Sequence, residues 1–161
     1  MHQYTDIIIS FKNKKQISTT ANFALTPNIG RTRISGTGAL NTNRDGSGTE
    51  GVTIFNAFTA GANGSRIDRV IINAAGTLAA TTAGMVRVFI SQAAGANKRL
   101  WREWQVTAAT PSPSALGYTN YTTSKIDGGL CLKAGEQLWV TSHFADVAGN
   151  QFDIIIEGGD F

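Results

Sequence analysis

Met85-Val86-Arg87-Val88-Phe89-Ile90 is the stretch whose period decides the fold. Side chains along an extended strand alternate between its two faces. Val86, Val88 and Ile90 therefore share one face, and Met85, Arg87 and Phe89 share the other. A helix would scatter the same residues around its circumference. Both faces carry apolar bulk, which places this strand inside a sandwich, its second face covered by a neighbour or a partner subunit.

The same two-residue period extends in both directions. Residues 66–73, with Ile67, Val70, Ile71 and Ile72, form a strand that turns at Ala74-Ala75-Gly76 and pairs with the strand beginning near Met85. Residues 49–59, with Val52, Ile54 and Phe55, form a strand ended by Gly61-Ala62-Asn63-Gly64. In residues 98–107, Leu100, Arg102, Trp104 and Val106 alternate with Trp101, Glu103 and Gln105, so one tryptophan must point away from the core. Further strands fall at 118–125, at Leu130-Cys131-Leu132, at Leu138-Trp139-Val140-Thr141 and at 152–156, and a short one at 28–35 precedes a turn cluster over 41–48. Eight or nine strands at roughly ten-residue spacing predict an all-β fold, an antiparallel, jelly-roll-like β-sandwich. The sandwich domain spans residues 29–161. Residues 1–28, closed by the breaker Thr26-Pro27-Asn28, read as an extended N-terminal arm, in which residues 6–11 could still pair as a strand.

Composition agrees. Charged residues are 16% of the 161, below the roughly 25% of ordinary soluble domains, and 18 are glycine, which excludes a coiled coil or helical bundle. An apolar fraction of 42% with a net charge of only +3 excludes a disordered chain. The charge is uneven: residues 1–50 hold six basic side chains against three acidic, and residues 51–161 hold eight of each. A neutral β-body thus carries a basic lead segment, suited to an acidic protein shell. Lys12, Lys14, Lys15, Arg31 and Arg33 are its candidate contacts. Nucleic acid is not expected as the partner, because only Phe11 and Phe23 interleave these cations where single-strand binders need a stacking platform. Residues 70–86, an uncharged stretch, are broken by Asn73, Gly76, Thr77, Thr81, Thr82 and Gly84, so no membrane span is expected there. The first residues carry no secretory pattern, which points to a protein made and kept in a cytoplasm.

Little of the sequence is equipped for catalysis. Cys131 is the single cysteine and reads as a small buried thiol. Gly46-Ser47-Gly48-Thr49-Glu50-Gly51 matches a dinucleotide-binding pattern, but a polar turn precedes it and a strand follows, where cofactor binding needs a strand and then a helix. Of the two histidines, His2 is terminal and His143 reads as a strand-end side chain. No cofactor, metal or catalytic residue is assigned. A glycan hydrolase would have to draw its carboxylate pair from Asp127, Glu136, Asp146, Asp153 and Glu157, which nothing in the sequence singles out.

Several stretches carry a resemblance: Thr26-Pro27-Asn28-Ile29-Gly30, the Asn-Thr-Asn-Arg-Asp-Gly turn from Asn41, and Phe58-Thr59-Ala60-Gly61-Ala62-Asn63-Gly64-Ser65-Arg66-Ile67. With Thr81-Thr82-Ala83-Gly84-Met85-Val86-Arg87-Val88-Phe89, Leu100-Trp101-Arg102-Glu103 and the terminal Glu157-Gly158-Gly159-Asp160-Phe161, the chain resembles a family of small tailed-bacteriophage virion structural proteins. Residues 130–140 also resemble the penultimate hairpin of trimeric jelly-roll heads of the tumour-necrosis-factor type. The resemblance implies a structural part of the virion, assembled in the host cytoplasm: a capsid decoration or cement protein, a head fibre or a tail component. A capsid-surface homotrimer bound to the major capsid protein is the leading expectation, with Phe89, Trp101, Trp104 and Phe161 as intersubunit packing residues. The alternative is a fibre component or carbohydrate-binding module that recognises host glycans through Trp139, Tyr118 and Tyr121.

Overall fold

A computed structural model of the chain describes residues 26–35, 39–76, 81–110, 112, 114, 130–144 and 150–161. Eight strands run through them: β1 (Thr26–Ser35), β2 (Phe55–Thr59), β3 (Ser65–Gly76), β4 (Gly84–Ser91), β5 (Arg99–Val106), β6 (Leu130–Leu132), β7 (Gln137–Ser142) and β8 (Asn150–Asp160). They form two antiparallel four-stranded sheets, ordered β1-β8-β3-β6 and β2-β7-β4-β5. β1 pairs with β8, β2 with β7, β3 with β6 and β4 with β5, as if one long hairpin had been rolled up. The ladders β3–β8 and β4–β7 close each sheet. This is the connectivity of a jelly roll. The strands expected near 6–11 and 118–125 lie outside the described residues, and so does most of the expected arm. β1 begins at Thr26, so the breaker Thr26-Pro27-Asn28 is the start of an edge strand, where the missing N–H of Pro27 costs no ladder bond.

The inward residues of both sheets meet in one core. Val70 and Ile72 of β3 and Phe152, Ile154 and Ile156 of β8 pack with Val86 and Val88 of β4 and Leu138 and Val140 of β7. Phe144 meets Phe152 edge to face at 5.3 Å. This layering corrects the expected β3–β4 hairpin. Stacked across the layers, the apolar faces of β3 and β4 cover each other; side by side in one sheet, both would still need a cover. At the β1–β2 edge the two sheets nearly touch, and a Cβ on Gly30 would lie 2.0 Å from the Ala57 carbonyl oxygen.

Residues 49–54 are a turn and not the first half of a strand. The Thr49 carbonyl accepts hydrogen bonds from the amides of Val52, Thr53 and Ile54, and Gly51 is left-handed at φ 73°. The segment 39–54 lies over the second face of β4. Asn41 pins it, donating from Nδ2 to the carbonyls of Ser47 and Thr53, while its own amide donates to Ser142 O. Asp45 closes the turn by accepting from the Ser47 amide and hydroxyl, which holds its carboxyl below the usual range. A second small cluster of Ile54, Phe89 and Trp139, with Leu100 against it, fills the space beneath.

Candidate interaction surface

The outward side of the β1-β8-β3-β6 sheet is built in cross-strand rows. Ile29, Glu157 and Arg69 form one row, Arg31, Ile155 and Ile71 the next, and Arg33, Asp153 and Asn73 the third. Ion pairs hold most of its charge: Arg33 with Asp153 at 2.6 Å, Arg66 with Asp68 at 2.8 Å, and Arg69 with Glu157. Such exposed pairs contribute little stability, but they cancel three arginines on this face. The fourth, Arg31, is exposed and has no carboxylate partner among the described residues. It borders a shallow groove of about 370 Å³ with Arg33, Asp153 and Ile155. Beside it Ile29 is 50% exposed, and Ile71 and Ile155 are half-buried. The face is thus an isoleucine patch with one unmatched positive charge.

Arg31 and Arg33 therefore share a surface, with Arg33 engaged by Asp153; Lys12, Lys14 and Lys15 lie outside the described residues. Phe89 is wholly buried within its own chain by residues 39–54, so it has no surface for a neighbouring subunit. Trp101 and Trp104 do not point to opposite faces. A bulge in β5 opposite Val88 and Phe89 breaks the alternation, and both rings pack half-buried against the main core, 6.3 Å apart and edge to face. Phe161 is half-buried, tied to the β2–β3 turn through its amide to Gly64 O and its carbonyl from Asn63 Nδ2. Trp139 is 3% exposed, donates Nε1–H to Ser91 Oγ and lies under Lys98 Nζ, so it is no open platform. Tyr118 and Tyr121 lie outside the described residues. Cys131 is exposed, because in the three-residue β6 Leu132 takes the inward position and Cys131 the outward one.

Sequence reasoning missed two polar networks. Arg87, on the covered face of β4, has a side chain 2% exposed; it donates to Glu103 Oε1 at 2.7 Å, Asn41 O at 3.3 Å and His143 Nδ1 at 2.8 Å. Glu103 also accepts from Arg44, and the Arg87 hydrogen bond leads the causes that hold its carboxyl below the usual range. Asp160 accepts from Ser65 Oγ and from Asn28 Nδ2, and these two bonds lower its carboxyl likewise. It joins the end of β8 to the starts of β1 and β3.

Among the hydrolase candidates, Asp153 and Glu157 are held by arginines and stand four residues apart on one strand, about 13 Å. Glu136 accepts from the Lys133 amide, and Asp127 and Asp146 lie outside the described residues. Among the described residues no three His, Cys, Asp or Glu side chains gather to hold a metal, and no helix is long and apolar enough to cross a membrane. Gly46 and Gly48 of the dinucleotide-like pattern approach Lys98 and Asn41 within the 39–54 cover, and no helix follows them. Comparison with protein-family models, with curated proteins and with solved structures returns no match to this chain.

Proposed function

We propose that the chain is a non-enzymatic structural protein of a bacteriophage virion, which decorates and cements the capsid exterior as a trimer. The observation that carries this reading is the face where Arg31 stands unmatched beside Ile29, Ile71 and Ile155. An acidic, partly apolar surface of the major capsid protein is its complement: the isoleucines supply burial and Arg31 sets orientation. Lys12, Lys14 and Lys15 add positive charge from the lead segment and strengthen attraction to the same shell. The jelly roll suits such a part, since its hydrogen bonds close within the two sheets and its core needs no cofactor. The resemblance to tailed-phage virion proteins favours the same conclusion.

The test is co-sedimentation of the full-length protein with capsids of the same virion. Arg31→Glu places a carboxylate where a cation meets an acidic partner and is expected to weaken capture about tenfold or more, as reversing one interfacial charge does. Replacing Lys12, Lys14 and Lys15 together by Glu is expected to lower capture and its salt sensitivity. Undiminished capture of both variants, each still folded, would overturn the proposal. Light scattering of the free protein at the mass of one chain would overturn the trimer.

A further inference from the structure

At the far end of the other sheet, a groove of about 320 Å³ opens between β4, β5 and the connection joining them. Its volume sits at the low end of small-molecule sites, roughly 300–1,000 Å³. Trp101, Arg99, Gln92, Asn97 and Glu136 supply its chemistry. We propose that this groove binds an acidic saccharide, a uronic-acid-type pyranose within a longer glycan.

The connection itself is the first argument. Ala94 at φ 59° and Asn97 at φ 50° are the two non-glycine residues with left-handed backbone among the described residues, and both lie in it. Each costs on the order of 1 kcal/mol, and such strain gathers at functional sites. The segment is nonetheless braced: Gln92 N donates to Ala96 O at 2.8 Å, Gly95 N to Gln92 O at 3.1 Å, and Lys98 Nζ to Gly95 O at 2.8 Å. A site so fixed loses little entropy when a ligand enters.

The second argument is the match of groups. Asn97 Nδ2 donates to Gln92 Oε1 at 2.8 Å, which orients both amides and leaves the Gln92 NH₂ as donor and the Asn97 Oδ1 as acceptor. Neighbouring sugar hydroxyls, each donor and acceptor, fit such a pair. Glu136 spends Oε2 on the Lys133 amide and keeps Oε1 for another hydroxyl. Trp101, half-buried with Trp104 against it and the Arg102 guanidinium 5.2 Å from its ring, presents to the groove the part that stays exposed, an apolar contact for the C–H bonds of a pyranose. Arg99 is exposed and has no carboxylate partner among the described residues, so a ligand carboxylate is its complement. A wholly apolar ligand would strip water from Arg99 and Glu136 without replacing it. A bare phosphate would meet the Glu136 carboxylate and leave the tryptophan unused.

Calorimetric titration of the full-length protein with tri-galacturonate, maltotriose and tri-glutamate tests this. The expected result is saturable binding of tri-galacturonate, little of maltotriose and none of tri-glutamate. Arg99→Gln should weaken it about tenfold or more, the loss of one charge-assisted hydrogen bond. Gln92→Ala, on an exposed loop position, should weaken binding with the fold intact. No binding of tri-galacturonate at millimolar concentrations, equal binding by Arg99→Gln, or equal binding of tri-glutamate would each overturn the proposal. None of these outcomes bears on capsid capture, which is assigned to the other sheet.

Discussion

Removing the Glu103 carboxylate should be far more damaging than its partly exposed position on β5 implies. In Glu103→Ala the Arg87 guanidinium, on a side chain 2% exposed, keeps only two neutral acceptors, Asn41 O at 3.3 Å and His143 Nδ1 at 2.8 Å. Leaving a buried charge without its partner costs about 3–5 kcal/mol. The Glu103 side chain is itself 19% exposed, so water can reach part of the vacated space, which argues for the low end, about 3 kcal/mol. At about 2–4 °C per kcal/mol for a chain of this size, the melting temperature should fall by roughly 6–12 °C. Arg44 bonds the same carboxylate, but its side chain is 63% exposed, so Arg44→Ala should cost about 0–1 kcal/mol. Arg87→Met removes the buried charge along with its bonds, and Glu103 retains Arg44 and solvent. The double variant Arg87→Met/Glu103→Ala should then lose less than the two single losses added together. Urea unfolding followed by tryptophan fluorescence, with thermal unfolding by circular dichroism, measures all four variants. Glu103→Ala within about 1 kcal/mol of the parent, or additive losses in the double variant, would refute the reasoning.

Acid should destabilise the fold through Glu103 and Asp160, whose carboxyls titrate below their usual range in the folded protein. The unfolded chain takes up these protons first as pH falls, so their contribution is complete above about pH 5 and declines below it; unfolding midpoints measured from pH 7 to pH 3 check the slope. Gly30→Ala would place a Cβ 2.0 Å from the Ala57 carbonyl oxygen and 2.9 Å from Phe58 Cβ, so β1 must shift, at about 1–3 kcal/mol or more in urea unfolding. Thr141 Oγ1 is buried with no hydrogen-bond partner among the described residues, and Thr141→Val should raise stability by about 1 kcal/mol in the same assay.

The strands were legible because alternation is a local property. Val86, Val88, Ile154 and Ile156 announce an inward face whatever lies beside them, and β5, β6 and β7 fall within a residue or two of where their patterns put them. Pairing was not legible, since the same alternation in β3 and β4 serves adjacent strands or stacked ones. The two misread faces have separate causes. Phe89 looked like an interface residue because nothing in its own strand covers it, and its cover is the glycine- and asparagine-rich segment 39–54, whose packing is set by Asn41 and not by hydrophobicity. A strict two-residue period across β5 turns one of Trp101 and Trp104 outward, but one bulged residue resets it. The Arg87–Glu103–His143 network was invisible for another reason: its members are 16 and 56 residues apart, joined only when β4, β5 and the end of β7 align.

The two proposed surfaces belong to different layers of the sandwich, and that arrangement has a consequence for how such a protein would work. Arg31 and the isoleucine patch lie on the outward side of the β1-β8-β3-β6 sheet, while the Trp101 groove is formed by β4, β5 and their connection in the other sheet. A chain that seats the first sheet on an acidic shell leaves the second sheet's groove out of that contact. The core between them is packed to nearly zero exposure at Val70, Ile72, Val86 and Val88, and among the described residues it consists of stacked strands. Occupancy of one surface should therefore leave affinity at the other unchanged: Arg31→Glu should bind tri-galacturonate like the parent, and Arg99→Gln should be captured by capsids like the parent. A shared loss would mean that the two faces meet a single partner, since reciprocal coupling needs a bistable element between sites and the described residues place packed β-layers there.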